Sequence, residues 1–120
     1  MYQKELRVGE KDLESAKDSF ENENYKWATI QAYYGIFHAV RALAYKDGYR
    51  EESHTALKHL FRELYIKTNK LPMSVYHSFE NGMSLREMAD YKETYSKQGA
   101  ENVITSVTVS IKEIKKLIED

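Results

Sequence analysis

Ala28, Ala32, Gly35, Ala39 and Ala42 recur at intervals of 4, 3, 4 and 3, which places them on one face of an α-helix. A glycine inside a helix costs about 1 kcal/mol relative to alanine. A stripe of tiny side chains centred on Gly35 therefore predicts compensation, through close approach by a second helix backbone. Trp27, Ile30, Tyr33, Phe37 and Val40 put bulk on the neighbouring faces. A helix that is small or apolar on most sides has to be surrounded. Residues 25–46 are accordingly predicted to lie at the centre of a helical bundle or in a subunit interface.

The punctuation of the chain sets the other elements. One proline and five glycines in 120 residues leave few breaks, so the helices are expected to be long. Leu6, Leu13, Ala16 and Phe20 repeat at helical spacing in a first helix over 3–22, which ends in the polar turn Glu21-Asn22-Glu23-Asn24. Asp47-Gly48 terminates the central helix, with glycine as the left-handed residue. Ser53 is a candidate N-cap for a third helix over 54–69, with a core face of Leu57, Leu60, Phe61 and Leu64. Pro72 suits the first turn of a fourth helix, whose inward residues are expected to be Met73, Tyr76, Phe79, Met83 and Met88. Asn81-Gly82 followed by Ser84-Leu85-Arg86-Glu87, a capping-box pattern, would permit a bend or restart there. One bent helix is the favoured reading. Residues 98–119 fit two patterns. Thr105 to Ile111 alternates like a strand, whereas Ala100, Val103, Ile104, Val107, Ile111, Ile114 and Ile118 match a helix face over a longer span. No partner strand exists elsewhere and a lone strand is not viable, so a helix is predicted. The fold class is all-α: an up-and-down antiparallel bundle of about five helices, in a single domain over residues 1–120 with a radius of gyration of about 14 Å.

Composition narrows the chemistry. The chain has no cysteine, which removes disulfide scaffolding, cysteine-type zinc sites and thiol catalysis together. Lys plus Arg totals 18 against 19 for Asp plus Glu, a balance that argues against a broad phosphate-binding surface but leaves room for a small basic cleft. The opening residues have no apolar core of a signal peptide and no apolar run approaches the roughly 20 residues of a membrane span, so a cytoplasmic location is expected. Ten tyrosines imply that some pack inside with bonded hydroxyls and some line an interface.

Phosphate-binding glycine loops, GxGxxG, HExxH and GxSxG are all absent. His54 and His59 stand about 140° apart round a helix and make no natural chelating pair, so neither a metal nor another cofactor is expected. Tyr34, His38, Arg41 and Tyr45 form one polar stripe on the otherwise apolar central helix. It reads either as a seam satisfied by carbonyls or a carboxylate of a neighbouring helix, or as an anion or nucleotide pocket with Arg41 on phosphate. Arg86 and Asp90, at i and i+4, with Tyr91 in the string LREMADY, read either as a surface ion pair or as part of a cleft. His54 and Lys58, one turn apart at the start of the third helix, are a third group, and the helix N-terminus would lower the pKa of His54.

Taken together, NYKWATIQAYYGIFHAVRALAYKDGY, SHTALKHLF and LREMADY before a final amphipathic helix resemble the HEPN superfamily, and more closely its small stand-alone prokaryotic members. The resemblance runs from about residue 6 to the C-terminus. It implies a helical bundle that dimerises and works beside a minimal nucleotidyltransferase, as the toxin half of a toxin–antitoxin pair. Many members are metal-independent ribonucleases that carry an Arg followed, after four to six residues, by a His in a cleft between two protomers. Arg86 matches that Arg. The positions where the His would stand hold Tyr91, Lys92 and Glu93. Acid–base catalysis near neutrality needs a pKa near 7. Tyrosine near 10 lies far from it, and Asp90 is too acidic unless strongly desolvated.

The reading that follows is a homodimeric module that binds nucleotide or RNA without cleaving it, through Arg86, Tyr91, Arg41 and His38, on the toxin side of a nucleotidyltransferase pair. The alternatives are a ribonuclease that uses Arg86 with Tyr91, Asp90 or His54, and a structural interaction protein without a ligand.

Overall fold

A computed structural model describes all of residues 1–120 and contains five α-helices and no strand. They are α1 (Tyr2–Glu21), α2 (Tyr25–Lys46), α3 (His54–Phe61), α4 (Met73–Tyr91) and α5 (Lys97–Glu119). α2 packs against α1, α4 and α5 in an up-and-down bundle, with the short α3 laid across α2 and α4. The radius of gyration is 13.4 Å. Polar side chains start the elements as capping chemistry requires: Asn24, Ser53 and Ser96 each accept a backbone N–H from the first turn of the helix that follows.

The small-residue stripe meets α1. A Cβ added to Gly9 would lie 2.7 Å from the carbonyl oxygen of Gly35, and one added to Gly35 would lie 3.2 Å from that of Gly9. Two backbones touch at this crossing, and no side chain larger than hydrogen fits between them. Ala28, Ala32, Gly35, Ala39 and Ala42 are all buried. α2 is therefore largely enclosed by its own chain, with Trp27 near its N-terminal end, 48% exposed, and Lys46 at its C-terminal end as the exposed residues. One core of 25 buried residues draws on every helix, and each large apolar member contributes on the order of 1.5–3 kcal/mol by leaving water.

Three expectations change in detail. The third helix does not run as an α-helix to residue 69. After Phe61 the chain continues as a π-turn over Arg62–Ile66, with the N–H of Lys67 bonded to the carbonyl of Arg62 at 2.9 Å. The wider turn brings Phe61, Tyr65 and Ile66 inward together, and the Tyr65 hydroxyl donates to Asp47 just past the end of α2. Pro72 caps α4 from outside rather than opening its first turn. Met73 and Met88, expected inside, are 47% and 39% exposed; Val75, Ser78 and Gly82 take the inward positions. As favoured from the sequence, α4 runs through Gly82 as one helix. This glycine packs against Tyr33, whose Cδ1 would lie 3.4 Å from an added Cβ, so it makes room for a ring rather than a break. The segment 98–119 is helical, with Ala100, Val103, Val107, Ile111, Ile114 and Ile118 buried and Ile104 half-buried.

Candidate functional site

The central residue of the site is Tyr34, which sequence reasoning placed only within a stripe. Its ring lies beneath the Arg86 guanidinium of α4 at 5.4 Å, edge-on to His54 of α3 at 5.9 Å and 6.1 Å from His38 of its own helix. Three helices thus bring their polar side chains to one aromatic surface.

Arg86 is largely buried, its side chain only 16% exposed. Tyr91, itself 69% exposed, covers the guanidinium at 5.1 Å, so the planar group sits between two rings, an arrangement that suits Arg and not Lys. Its contact to Asp90 is long, 3.4 Å from Nη2 to Oδ2. Its Nε is buried and has no hydrogen-bond partner. A buried charged donor left unpaired is costly and belongs with the exceptions that call for a functional reason.

His54 opens α3 directly after the Ser53 cap. Its ring stacks on Phe37 with centroids 4.2 Å apart, and its Nδ1 is 2.5 Å from the hydroxyl of Tyr33. The imidazole pKa is lowered from its ordinary 6.5, first by burial and then by neighbouring positive charge, that of Arg86 foremost and then Arg41. The direction matches the sequence expectation, but burial rather than the helix terminus leads the causes. At neutral pH His54 is therefore uncharged. Lys58, one turn on, faces Glu80 at 3.7 Å.

His38 and Arg41 turn the other way, toward α1. Both bond the same Glu5 oxygen, His38 Nδ1 at 2.6 Å and Arg41 Nε at 2.7 Å. Asp12 lies 3.5 Å from His38 Nε2. Glu52 accepts from Arg41 at 3.1 Å and from Tyr45 at 3.2 Å. His38, Arg41 and Tyr45 of the stripe thus form a seam satisfied by carboxylates of α1 and of the loop before α3. Burial alone would raise the Glu5 pKa, but hydrogen bonds from His38 and Arg41 outweigh it and hold the carboxyl below its usual range.

Of the sequence candidates, His54 and Arg86, the latter with Asp90 and Tyr91, gather at Tyr34, while His38 and Arg41 are committed to Glu5. Tyr33, Glu5, Asp12 and Glu52 were missed, and Tyr34 was seen only as one member of the stripe. Glu5 and Asp12 stand seven residues apart with Gly9 between them, a spacing that puts both carboxylates on the face meeting α2 and was legible as such. No three His, Asp or Glu side chains converge to hold a metal ion, and no helix is long and apolar enough to cross a membrane.

Comparison with known proteins agrees with this architecture. The HEPN domain family matches residues 2–119. A Methanocaldococcus jannaschii protein named "Putative toxin MJ0142" is 26% identical over 118 residues, covering 97% of this chain and 80% of the relative. A second protein of that organism, "Putative toxin MJ0605", is 26% identical over 116 residues, covering 96% and 87%. A "UPF0332 protein" of Thermotoga maritima is 26% identical over 110 residues, covering 90% and 83%. The crystal structure of an archaeal HEPN homologue, ST0689, superimposes with a TM-score of 0.78 over 98% of both chains at 18% identity, a likeness of fold. Residues 2–119, nearly the whole chain, carry the match, and the protein belongs to the HEPN domain family.

Proposed function

We propose that this protein is the toxin-side member of a toxin–antitoxin pair and binds RNA or nucleotide phosphate at Arg86, as a homodimer partnered by a minimal nucleotidyltransferase. The observation that carries the binding site is the buried, unpartnered Nε of Arg86 between the rings of Tyr34 and Tyr91. The two rings hold the guanidinium plane, so that a phosphate reaching the part of the side chain still open to solvent, 16%, meets a fixed fork for bidentate contact. Two relatives named as toxins support the biological setting.

The test is anisotropy of labelled single-stranded RNA with wild type, Arg86→Lys and Arg86→Ala. Both substitutions should weaken binding by about 1–3 kcal/mol, roughly 5- to 150-fold, with little change in melting temperature. Added salt should weaken wild-type binding as counterions are released. Loss of stability in both variants, with no RNA bound by any form, would make Arg86 a structural residue.

The homodimer reading rests on apolar surface at one end of the bundle. Trp27, Met88, Tyr91 and Tyr95 are 48%, 39%, 69% and 49% exposed, where Lys26 of α2 grips Glu93 beyond α4 at 2.6 Å. Covering them in a stable dimer would bury on the order of 1,600 Å² in total. Light scattering at micromolar concentration should give twice the 14.1 kDa chain mass; a sole monomer sinks this part of the proposal.

A second reading, metal-independent RNA cleavage, draws on His54, a histidine with lowered pKa on the same Tyr34 ring as Arg86. It requires cleavage in the presence of a chelator that is lost in both Arg86→Ala and His54→Ala.

A further inference from the structure

Tyr33 is fully buried. Its ring stacks on Phe79 at 6.0 Å and on His54 at 5.6 Å, and its hydroxyl contacts one polar atom, the Nδ1 of His54, at 2.5 Å. Two arrangements of protons fit that distance. In one, Nδ1–H donates to the phenol oxygen. The hydroxyl proton is then buried with no acceptor, because water does not reach a fully enclosed side chain and no other protein acceptor lies within range. In the other, the hydroxyl donates to a bare Nδ1 and every group at the contact is satisfied. Burial also pushes the Tyr33 pKa far above its ordinary value, so the phenol keeps its proton to donate.

We propose that Tyr33 is a positioning residue that holds His54 as the neutral tautomer with its proton on Nε2, so that the site offers an N–H donor beside the Arg86 guanidinium. Nε2 has no protein partner and is not sealed from solvent, which leaves it free for a ligand. Arg86 and His54 flank the same Tyr34 ring. One cation and one uncharged N–H together match the two oxygens and single negative charge of a phosphodiester. The same tautomer has no lone pair on Nε2, so His54 in this state is a binding group and not a base. To act as a base it would have to move its proton to Nδ1 and strand the Tyr33 hydroxyl. The use of Nε2–H toward a phosphodiester rests on the binding reading above, whereas the tautomer is a property of the free protein.

The measurement is long-range nitrogen–proton correlation NMR of the imidazoles, on ligand-free wild type and Tyr33→Phe, across a pH titration. The charged and titratable groups facing His54 are Arg86 and Glu87 of α4 and Arg41 and His38 of α2, all retained in the variant. Wild type should show His54 as a single Nε2–H tautomer with a hydrogen-bonded Nδ1. In Tyr33→Phe the Nδ1 resonance should lose that signature, and the titration midpoint should rise by roughly half a unit to one unit, the scale of one hydrogen bond to the neutral form. A packing role alone would move neither. An Nδ1–H or mixed tautomer in wild type, or a Tyr33→Phe spectrum unchanged at His54, overturns the proposal. RNA anisotropy with His54→Gln, whose amide nitrogen can stand in for Nε2–H, and His54→Ala completes the test. Gln should retain binding to within a few-fold, and Ala should lose it. A single Nε2–H tautomer in a protein that binds no RNA would leave the Tyr33 assignment standing and remove the binding reading instead.

Discussion

Replacing Gly9 by leucine is expected to destabilise the fold by about 3 kcal/mol or more, the upper range for overpacking, lowering the melting temperature by roughly 10 °C or more. The reason is backbone against backbone. Even a single methyl at residue 9 would lie 2.7 Å from the Gly35 carbonyl oxygen and 3.2 Å from the Ala39 nitrogen, and neither can swing aside as a side chain could. Gly9→Ala is therefore the sharper experiment. Alanine should stabilise an exposed helix interior by about 1 kcal/mol, so a loss of stability in Gly9→Ala isolates the helix crossing from helix propensity. Gly35→Leu and Ala39→Leu approach the same contact from α2 and should cost about 1–3 kcal/mol. Thermal unfolding by circular dichroism checks all four. An unchanged or raised melting temperature for Gly9→Ala would mean that α1 and α2 do not meet at this point.

The same crossing shows what the sequence could reveal. The stripe on α2 was legible because five small residues share one helical face, and a mid-helix glycine needs a physical reason. Gly9 was not, because it stands among Arg7, Val8, Glu10 and Lys11 and no local period marks a lone glycine. Its reason lies 26 residues away at Gly35. The π-turn at Arg62–Ile66 was hidden for a similar cause, since Tyr65 reaches Asp47 across the fold and helical periodicity assumes a constant 3.6 residues per turn. At the site, Arg86, Asp90 and Tyr91 were candidates from the spacing in LREMADY and the resemblance, and His54 from its place at a helix start. Of the tyrosines that organise them, Tyr33 was counted as bulk and Tyr34 as part of the polar stripe. Whether a tyrosine packs or positions depends on what its hydroxyl meets, and for Tyr33 that partner is 21 residues on, beyond the end of its own helix. Of the two placements that the apolar faces of α2 allowed, the bundle centre holds: α1, α4 and α5 cover them within one chain, and the exposed aromatic rings are Trp27, Tyr49, Tyr91 and Tyr95.

Glu5→Ala should be the second most damaging substitution, at about 2–3 kcal/mol. One carboxylate oxygen accepts from His38 Nδ1 and Arg41 Nε, and the Glu5, His38 and Arg41 side chains are only 14%, 18% and 18% exposed. Removing one partner of a buried pair costs about 3–5 kcal/mol. The cost falls below that range here because Glu52 still holds Arg41 and Asp12 still faces His38. Glu5→Gln keeps the shape and removes the charge, which separates packing from electrostatics. The pH dependence follows from the pKa. Burial would raise the Glu5 carboxyl, but the hydrogen bonds and charges of His38 and Arg41 hold it below the ordinary 4.5. The unfolded chain therefore takes up protons first as the solution is acidified. Stability from this group is fully present above about pH 4.5 and is lost as the pH falls through the folded value. Asp12 acts with the opposite sign, because burial raises its pKa above the ordinary 3.8, partly offset by His38. Urea unfolding from about pH 7 down to pH 4 and below should show a steeper acid loss in wild type than in Glu5→Gln. Asp12→Asn should steepen the wild-type loss, since it removes the opposing group. Identical acid limbs for wild type and Glu5→Gln would mean that the seam between α1 and α2 is held by packing, with its charges contributing nothing to the fold.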